Sequence, residues 1–112
     1  MDGVLCDRPK DAKGLSKYKL SWPYPEMIKV INECYDAGHK VIIYTARGMN
    51  LYQGDVAKTY DYIYDTTKKQ LDEWGVKHHQ LVMGKLHYDV LIDDKVVRSD
   101  IIKSYEDVIN YV

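Results

Sequence analysis

The sequence has little of what marks membrane, secreted or nucleic-acid-binding proteins. It contains two cysteines, three prolines, no phenylalanine and a formal net charge of -1. Its longest apolar runs, such as Val41–Tyr44, are far shorter than the roughly 18 residues that a membrane span needs. The balanced charge creates no general attraction to nucleic acid or to an anionic membrane. We therefore expect neither partner.

The N-terminus and the cysteines indicate a cytoplasmic protein. Residues Met1–Asp7 place an acid where a signal peptide is basic, and the apolar stretch ends too early. Cys6 and Cys34 are too few for a disulfide framework, and thiols in a chain without a secretory signal are usually reduced and buried. We expect no disulfide.

The amino-acid composition is that of an ordinary globular domain. Of the 112 residues, 46% are hydrophobic and 29% are charged, which is close to the average for folded chains. This length fits one domain, and we expect a single domain over residues 1–112.

Prolines and glycines divide the first half of the chain. All three prolines lie between Asp7 and Pro25, so this segment is predicted to be a long loop or small flap. Pro25 opens a predicted amphipathic helix that Gly38 ends. The run Lys40–Thr45 is rich in β-branched residues, which is typical of a strand covered on both faces.

The second half alternates in the same way. Its predicted elements are a loop at 46–54, a helix from about Asp55 to Trp74, strands at Gln80–Met83 and Tyr88–Asp93, an edge strand at Val96–Val97 and a helix at Tyr105–Val112. This alternation predicts an α/β fold, a three-layer α/β/α sandwich around a parallel Rossmann-like sheet. Ligands of such sheets bind beyond the carboxyl ends of the strands.

Polar residues stand where the predicted strands end. They are Thr45, Lys85, Asp93 and Asp94, and Asp2 lies near the N-terminus. Carboxylates gathered at one sheet edge repel each other unless a cation neutralises them, and hard oxygen ligands favour magnesium. Lysine and threonine beside them would donate to the oxygens of an anion. The pattern indicates phosphoryl transfer.

Four segments resemble, in order, the motifs of haloacid dehalogenase-like (HAD) phosphohydrolases. They are Met1–Asp7, Val41–Gly48, Gly84–Lys85 and Val90–Lys95. They match the Asp-x-Asp-Gly motif, the threonine after the second strand, the later lysine and the acidic pair of that family. The resemblance spans nearly the whole chain and implies a HAD-like domain without a large cap. It extends to small phosphatases linked to capsule or surface-polysaccharide synthesis.

The resemblance implies catalytic roles for Asp2, Thr45 and Lys85. Asp2 would be the general acid/base, and Thr45 and Lys85 would bind the phosphoryl group of the substrate. Arg47 would bind a second anionic group of the substrate, or would be an ordinary surface arginine. Without the resemblance, we would expect Asp2 to be a turn residue beside Gly3 and Thr45 a β-branched residue at a strand end. The alternative for Lys85 is a solvated loop lysine.

The resemblance also implies a magnesium site formed by Asp2, Asp93 and Asp94. Two acids that end an apolar strand are hard to explain structurally, because like charges at a buried strand end would cost several kcal/mol without a cation. Mg²⁺ is therefore the expected cofactor.

One part of the first motif is missing from these residues. The nucleophilic aspartate of the family would stand immediately before Met1, and the first strand, which lies in the middle of the family's sheet, would precede it. We expect either that the true start lies upstream or that the chain is a truncation without a nucleophile. Without that strand, exposed strand edges would favour association of copies of this chain.

These observations leave two functions open. The first is a magnesium-dependent phosphatase that hydrolyses a small phosphorylated metabolite, such as a sugar phosphate, through a phospho-aspartate. The second is a catalytically inactive HAD-like module that binds a phosphorylated ligand or a protein partner. A receiver domain of the response-regulator type fits less well, because its acid pair would lie near the N-terminus.

Overall fold

Five α-helices and two small sheets form the mixed α/β fold of the computed structural model, which describes residues 1–112. In chain order the elements are β1 (Cys6–Asp7), α1 (Ser16–Lys19), β2 (Trp22–Pro23), α2 (Pro25–Asp36), β3 (Ile42–Tyr44), α3 (Val56–Tyr62), α4 (Tyr64–Glu73), β4 (Gln80–Val82), a 3₁₀ helix (Ser99–Ile101) and α5 (Tyr105–Ile109). None of the helices has the length and apolar character needed to span a membrane.

Helix α2 confirms the amphipathic helix that the sequence predicted between Pro25 and Gly38. It begins at Pro25, whose missing N–H needs no partner in the first helical turn. Gly38 follows its end with a φ of 94°, a left-handed conformation that glycine adopts without strain. The residues that α2 buries are Ile28, Val30 and Cys34. The amphipathic face that the sequence predicted therefore packs into the core.

The predicted helix from Asp55 to Trp74 is two helices, α3 and α4, which meet at Ile63. Asp55 caps α3, because its carboxylate accepts a hydrogen bond from the Lys58 backbone N–H at 3.2 Å. The φ of Ile63 is -114°, far from the helical value of about -63°. Ile63 is fully buried, so core packing overrides a helical pattern that is continuous in the sequence.

Strands β3 and β4 form the parallel pair that the sequence predicted. Ile43 lies opposite Leu81, and both side chains are buried in the core. The prediction that both faces of this strand are covered is wrong, because Ile42 and Tyr44 are 48% and 51% exposed. The sheet has only two strands, so the second edge of β3 has no strand partner.

The later predicted strands do not form. Residues Tyr88–Asp93 and Val96–Val97 have no regular structure, and Val90 and Ile92 are 76% and 94% exposed. Their β-branched composition favours a strand only where a neighbouring edge supplies hydrogen bonds and packing, and β3 pairs only with β4. Four strands in one parallel sheet are therefore not observed.

Part of the predicted segment between Asp7 and Pro25 forms a small flap, defined here as residues 8–21, while Pro23 lies in β2 and Pro25 begins α2. Strands β1 and β2 on either side of it pair in antiparallel fashion, and α1 lies within it. Tyr18 of α1 is buried, and its hydroxyl accepts a hydrogen bond from the Gly48 N–H at 3.0 Å. The flap is therefore attached to the turn that follows β3.

Gly48 in that turn should tolerate no side chain. Its φ is 82°, and an added Cβ would lie 3.0 Å from both Ile63 Cγ1 and Thr59 Cγ2. Gly54 has a similar φ of 81° and no neighbour within 4 Å of an added Cβ, so it is a control for backbone strain alone. We expect Gly48→Ala to lower the free energy of unfolding by at least about 1 kcal/mol more than Gly54→Ala. Urea unfolding checks this, and equal losses would contradict the packing argument.

Candidate functional site

A cleft of about 240 Å³ lies at the carboxyl ends of β3 and β4. Its lining residues are Met1, Asp2, Arg8, Lys17, Tyr18, Tyr44, Thr45, Ala46, Arg47, Asn50, Lys85 and His87. The structure thus brings together four of the residues singled out in the sequence, namely Asp2, Thr45, Arg47 and Lys85. Asp93 and Asp94 do not line the cleft.

Thr45 is held at the floor of the cleft by β4 and the turn after it. Its N–H donates to the Val82 carbonyl at 3.1 Å, and its own carbonyl accepts from the Lys85 N–H at 3.1 Å. The Thr45 hydroxyl oxygen accepts from the Arg47 N–H at 3.1 Å, while the hydroxyl hydrogen has no acceptor within the protein. That hydrogen can therefore be donated to a ligand.

Lys85 brings an unpaired ammonium group to the same place. Its backbone N–H is held by the Thr45 carbonyl. Its Nζ lies 5.5 Å from the centre of the Tyr88 ring, and Lys85 forms no ion pair with a carboxylate, since the ion pairs of the protein involve other cations. The positive charge of Lys85 is therefore available to an anion in the cleft.

Arg47 is the most enclosed charged residue of the cleft. Its guanidinium donates to both carboxylate oxygens of Asp2 at 2.9 to 3.2 Å. It also donates to Gln70 at 2.7 Å and to the hydroxyls of Thr67 and Ser21 at 3.2 Å. All five N–H donors of an arginine are then used. Arg47 is 2% exposed.

The interpretation of Arg47 as an ordinary surface arginine is therefore wrong, and its assignment to substrate binding stays a prediction that these hydrogen bonds do not favour. Arg47 is not a surface arginine, and its guanidinium has no free donor for a substrate anion. A buried cation must be paired and fully hydrogen-bonded to be tolerated, and Arg47 meets this requirement with protein groups alone. Its side chain belongs to the framework that shapes the cleft.

Asp2 is held in its ionised form by two arginines. Burial raises the pKa of the Asp2 carboxyl, but the hydrogen bonds and charge of Arg47, together with the charge of Arg8, outweigh burial and hold that pKa below its usual range. The Arg8 guanidinium lies 3.2 Å from an Asp2 oxygen. A general acid must carry a proton at working pH. The surroundings of Asp2 therefore disfavour the general-acid function that the resemblance implies for it.

The Cys6 thiol beside Asp2 is not a nucleophile. Burial and then the negative charge of Asp2 raise the pKa of Cys6 to about 12. The thiol donates to the Asp2 carboxylate, with sulfur and oxygen 3.3 Å apart. Because the thiolate is the reactive form, Cys6 serves packing and hydrogen bonding. Both Cys6 and Cys34 are free and buried.

The predicted magnesium ligands are not assembled. Asp93 and Asp94 are exposed, and the Asp93 carboxylate accepts a hydrogen bond from the Lys95 N–H at 3.0 Å within a local turn. No group of three or more His, Cys, Asp or Glu side chains is placed to share a metal ion. The set Asp2, Asp93 and Asp94 therefore does not fit a common magnesium ion in this arrangement.

Sequence reasoning missed the part that the flap plays in the cleft. Arg8, Lys17 and Arg47 all lie around the Tyr18 ring, at 5.7, 5.0 and 5.1 Å from its centre. Basic residues are frequent in the flap sequence, but no periodic pattern shows which of them face inward. Only the docking of Tyr18 places Lys17 at the cleft.

Comparison with known proteins supports the fold. No protein-family model and no curated protein matches this chain. A crystal structure of an MCSG target from Vibrio cholerae is similar, with a TM-score of 0.76 and 28% sequence identity over 89% of this chain and 80% of that chain. The shared architecture therefore extends over most of both chains.

Removing the Arg47 guanidinium should destabilise the whole domain. We expect Arg47→Met to lower the free energy of unfolding by about 3–5 kcal/mol, because it leaves the half-buried Asp2 carboxylate with only Arg8, and Gln70 and its other buried polar neighbours without their partner. Arg98→Met is the matched control, since Arg98 forms an exposed ion pair with Asp100 at 3.1 Å and should contribute at most about 1 kcal/mol. Similar losses in urea unfolding of the two variants would disprove the central role of Arg47.

The Asp2 carboxylate should also make stability depend on pH. Its pKa is lower in the folded state than in the unfolded chain, so its contribution is complete above the unfolded pKa and is lost as pH falls through the folded pKa. We expect the wild type to lose more stability than Asp2→Asn between about pH 6 and about pH 3. Asp61→Asn, at an exposed position, serves as control and should behave as the wild type. Parallel pH profiles for Asp2→Asn and the wild type would argue against this ion pair.

Proposed function

We propose that this chain is a HAD-like phosphatase domain of the cytoplasm that binds a small phosphorylated metabolite in the cleft. One observation carries the proposal. The Thr45 hydroxyl and the Lys85 ammonium, from the ends of two parallel strands, converge on one cleft. A hydroxyl hydrogen and an unpaired ammonium are the donors that a phosphoryl group requires.

The charge of the cleft supports an anionic ligand. Four of its lining side chains are cationic and one is a carboxylate, although the chain as a whole has a formal net charge of -1. Positive charge is therefore concentrated here. A converging set of cations in a concave site raises the local concentration of anions.

The size of the cleft supports a compact ligand. Its volume of about 240 Å³ lies below the range of roughly 300–1,000 Å³ that is common for sites of drug-sized molecules. A sugar phosphate or a smaller phosphomonoester fits this limit, and the resemblance favours the sugar phosphates of surface-polysaccharide synthesis.

The proposal includes the finer fold class, a three-layer sandwich around a parallel Rossmann-like sheet. The parallel register of β3 and β4 and the position of the cleft at their carboxyl ends support it. The similarity to the Vibrio cholerae structure is in keeping with one architecture over most of the chain.

Magnesium is the cofactor that the resemblance implies for hydrolysis, and the carboxylates of this chain do not fit it in the observed arrangement. Asp2 is bound to Arg47 and Arg8, and the acidic pair lies outside the cleft. This observation favours a second candidate function, a module that binds a phosphorylated ligand without hydrolysing it. Both candidates share the phosphoryl site at Thr45 and Lys85.

Inorganic phosphate is the direct probe of that shared site. We expect calorimetry to detect phosphate binding, and Lys85→Met to weaken it about tenfold or more, because a charge-assisted hydrogen bond contributes about 1.5–3 kcal/mol. Lys95→Met is the matched control, since Lys95 is exposed and does not line the cleft, and it should bind as the wild type does. Absence of phosphate binding, or an equal effect of both variants, would refute the proposal.

Hydrolysis of para-nitrophenyl phosphate then separates the two candidates. The 112-residue chain should show only background turnover with magnesium, because no aspartate occupies the position that matches the nucleophile of the family. A chain extended by an apolar segment that ends in aspartate directly before Met1 should gain magnesium-dependent turnover if the domain is a phosphatase. Phosphate binding without turnover in either chain would identify the binding module.

A further inference from the structure

The cleft holds a second unpaired cation besides Lys85. Lys17, in helix α1 of the flap, lines the cleft, and its Nζ lies 5.0 Å from the centre of the Tyr18 ring. Lys17 forms no ion pair with a carboxylate, since the ion pairs of the protein involve other cations. Two ammonium groups, one from the flap and one from the turn after β4, therefore face the same space without a counter-ion.

The surroundings of Lys17 leave its charge uncompensated. Three cations, Arg8, Lys17 and Arg47, lie within 5.7 Å of the centre of the Tyr18 ring. The single carboxylate of the cleft, Asp2, is engaged by both arginines. Cations that surround one ring repel each other where solvent is partly excluded, so an anion at Lys17 would lower this repulsion.

The space beside Lys17 extends beyond the phosphoryl site. A second concavity of about 470 Å³ lies beside the cleft along the flap. It shares Asp2, Arg8 and Lys17 with the cleft, and Asp7 and Lys10 also line it. Arg8 uses one terminal nitrogen on Asp2, which leaves its other N–H groups free. A group that occupies this space therefore meets three cations, Arg8, Lys10 and Lys17, and two carboxylates, Asp2 and Asp7.

We propose that Lys17 and Arg8 form a second anion subsite, and that the ligand is a compact metabolite with two anionic groups. Its phosphoryl group binds at Thr45 and Lys85, and its second acid group, a carboxylate or another phosphoryl, binds at Lys17 and Arg8. The assignment of the phosphoryl group to Thr45 and Lys85 rests on the proposed function. The assignment of the second acid group rests on the positions of Lys17 and Arg8 in the flap.

Two probes that differ in one acid group test the second subsite. Glycerol 3-phosphate has one anionic group, and 3-phosphoglycerate has a carboxylate in place of a hydroxymethyl group. We expect the wild type to bind 3-phosphoglycerate about tenfold more tightly, since each charge-assisted contact contributes more than a neutral one. Lys17→Met should reduce this preference severalfold, because only Arg8 then contacts the carboxylate, and should leave glycerol 3-phosphate affinity within about twofold. Lys85→Met should weaken both probes.

Lys19→Met is the matched control, because Lys19 lies in the same helix, is exposed and does not line the cleft. It should preserve the preference for 3-phosphoglycerate. Lys17→Gln, with an unchanged unfolding midpoint, should repeat the effect of Lys17→Met. If the wild type binds both probes equally while Lys85→Met weakens both, the second subsite is overturned and the phosphoryl site stands. If neither probe binds, both proposals fail.

Discussion

The buried guanidinium of Arg47 is the interaction on which the rest of the structure depends. It joins three parts of the chain that are distant in sequence, through Asp2 near the N-terminus, Ser21 at the end of the flap and Gln70 in α4. Burying a cation costs several kcal/mol unless every donor finds a partner. The three parts must therefore stay together, and Asp2 and the flap thereby become walls of the cleft.

The cationic side chains of the cleft are of two kinds, those paired with protein groups and those without a counter-ion. Arg47 is neutralised by Asp2, and protein groups accept from all of its donors. Lys85 and Lys17 carry no counter-ion, and Arg8 is only partly engaged. The cleft therefore combines unpaired cations with the hydroxyl of Thr45 among its lining groups. This division concentrates unpaired positive charge in one cleft of a chain whose formal net charge is -1.

The open edge of β3 is where local sequence and tertiary structure disagree. Strands of parallel sheets are normally covered on both faces, yet Ile42 and Tyr44 are exposed, and the apolar segment around Ile92 has no strand partner. An unpaired edge with apolar neighbours favours pairing with another strand. Association of copies through this edge stays a prediction.

Local rules were enough for those parts of the protein whose causes lie within a few residues. Proline and glycine set the ends of α2, β-branched residues marked β3, and the ends of β3 and β4 located Thr45 and Lys85. Local rules could not predict three other features. These are the framework role of Arg47, the inward position of Lys17 and the exposure of Asp93. Arg47 and Asp2 are 45 residues apart, and the segment around Asp93 becomes a strand only if another strand pairs with it. Tertiary structure decided these features, because hydrogen-bond saturation of a buried charge and pairing of a strand edge depend on partners that sequence neighbours do not supply.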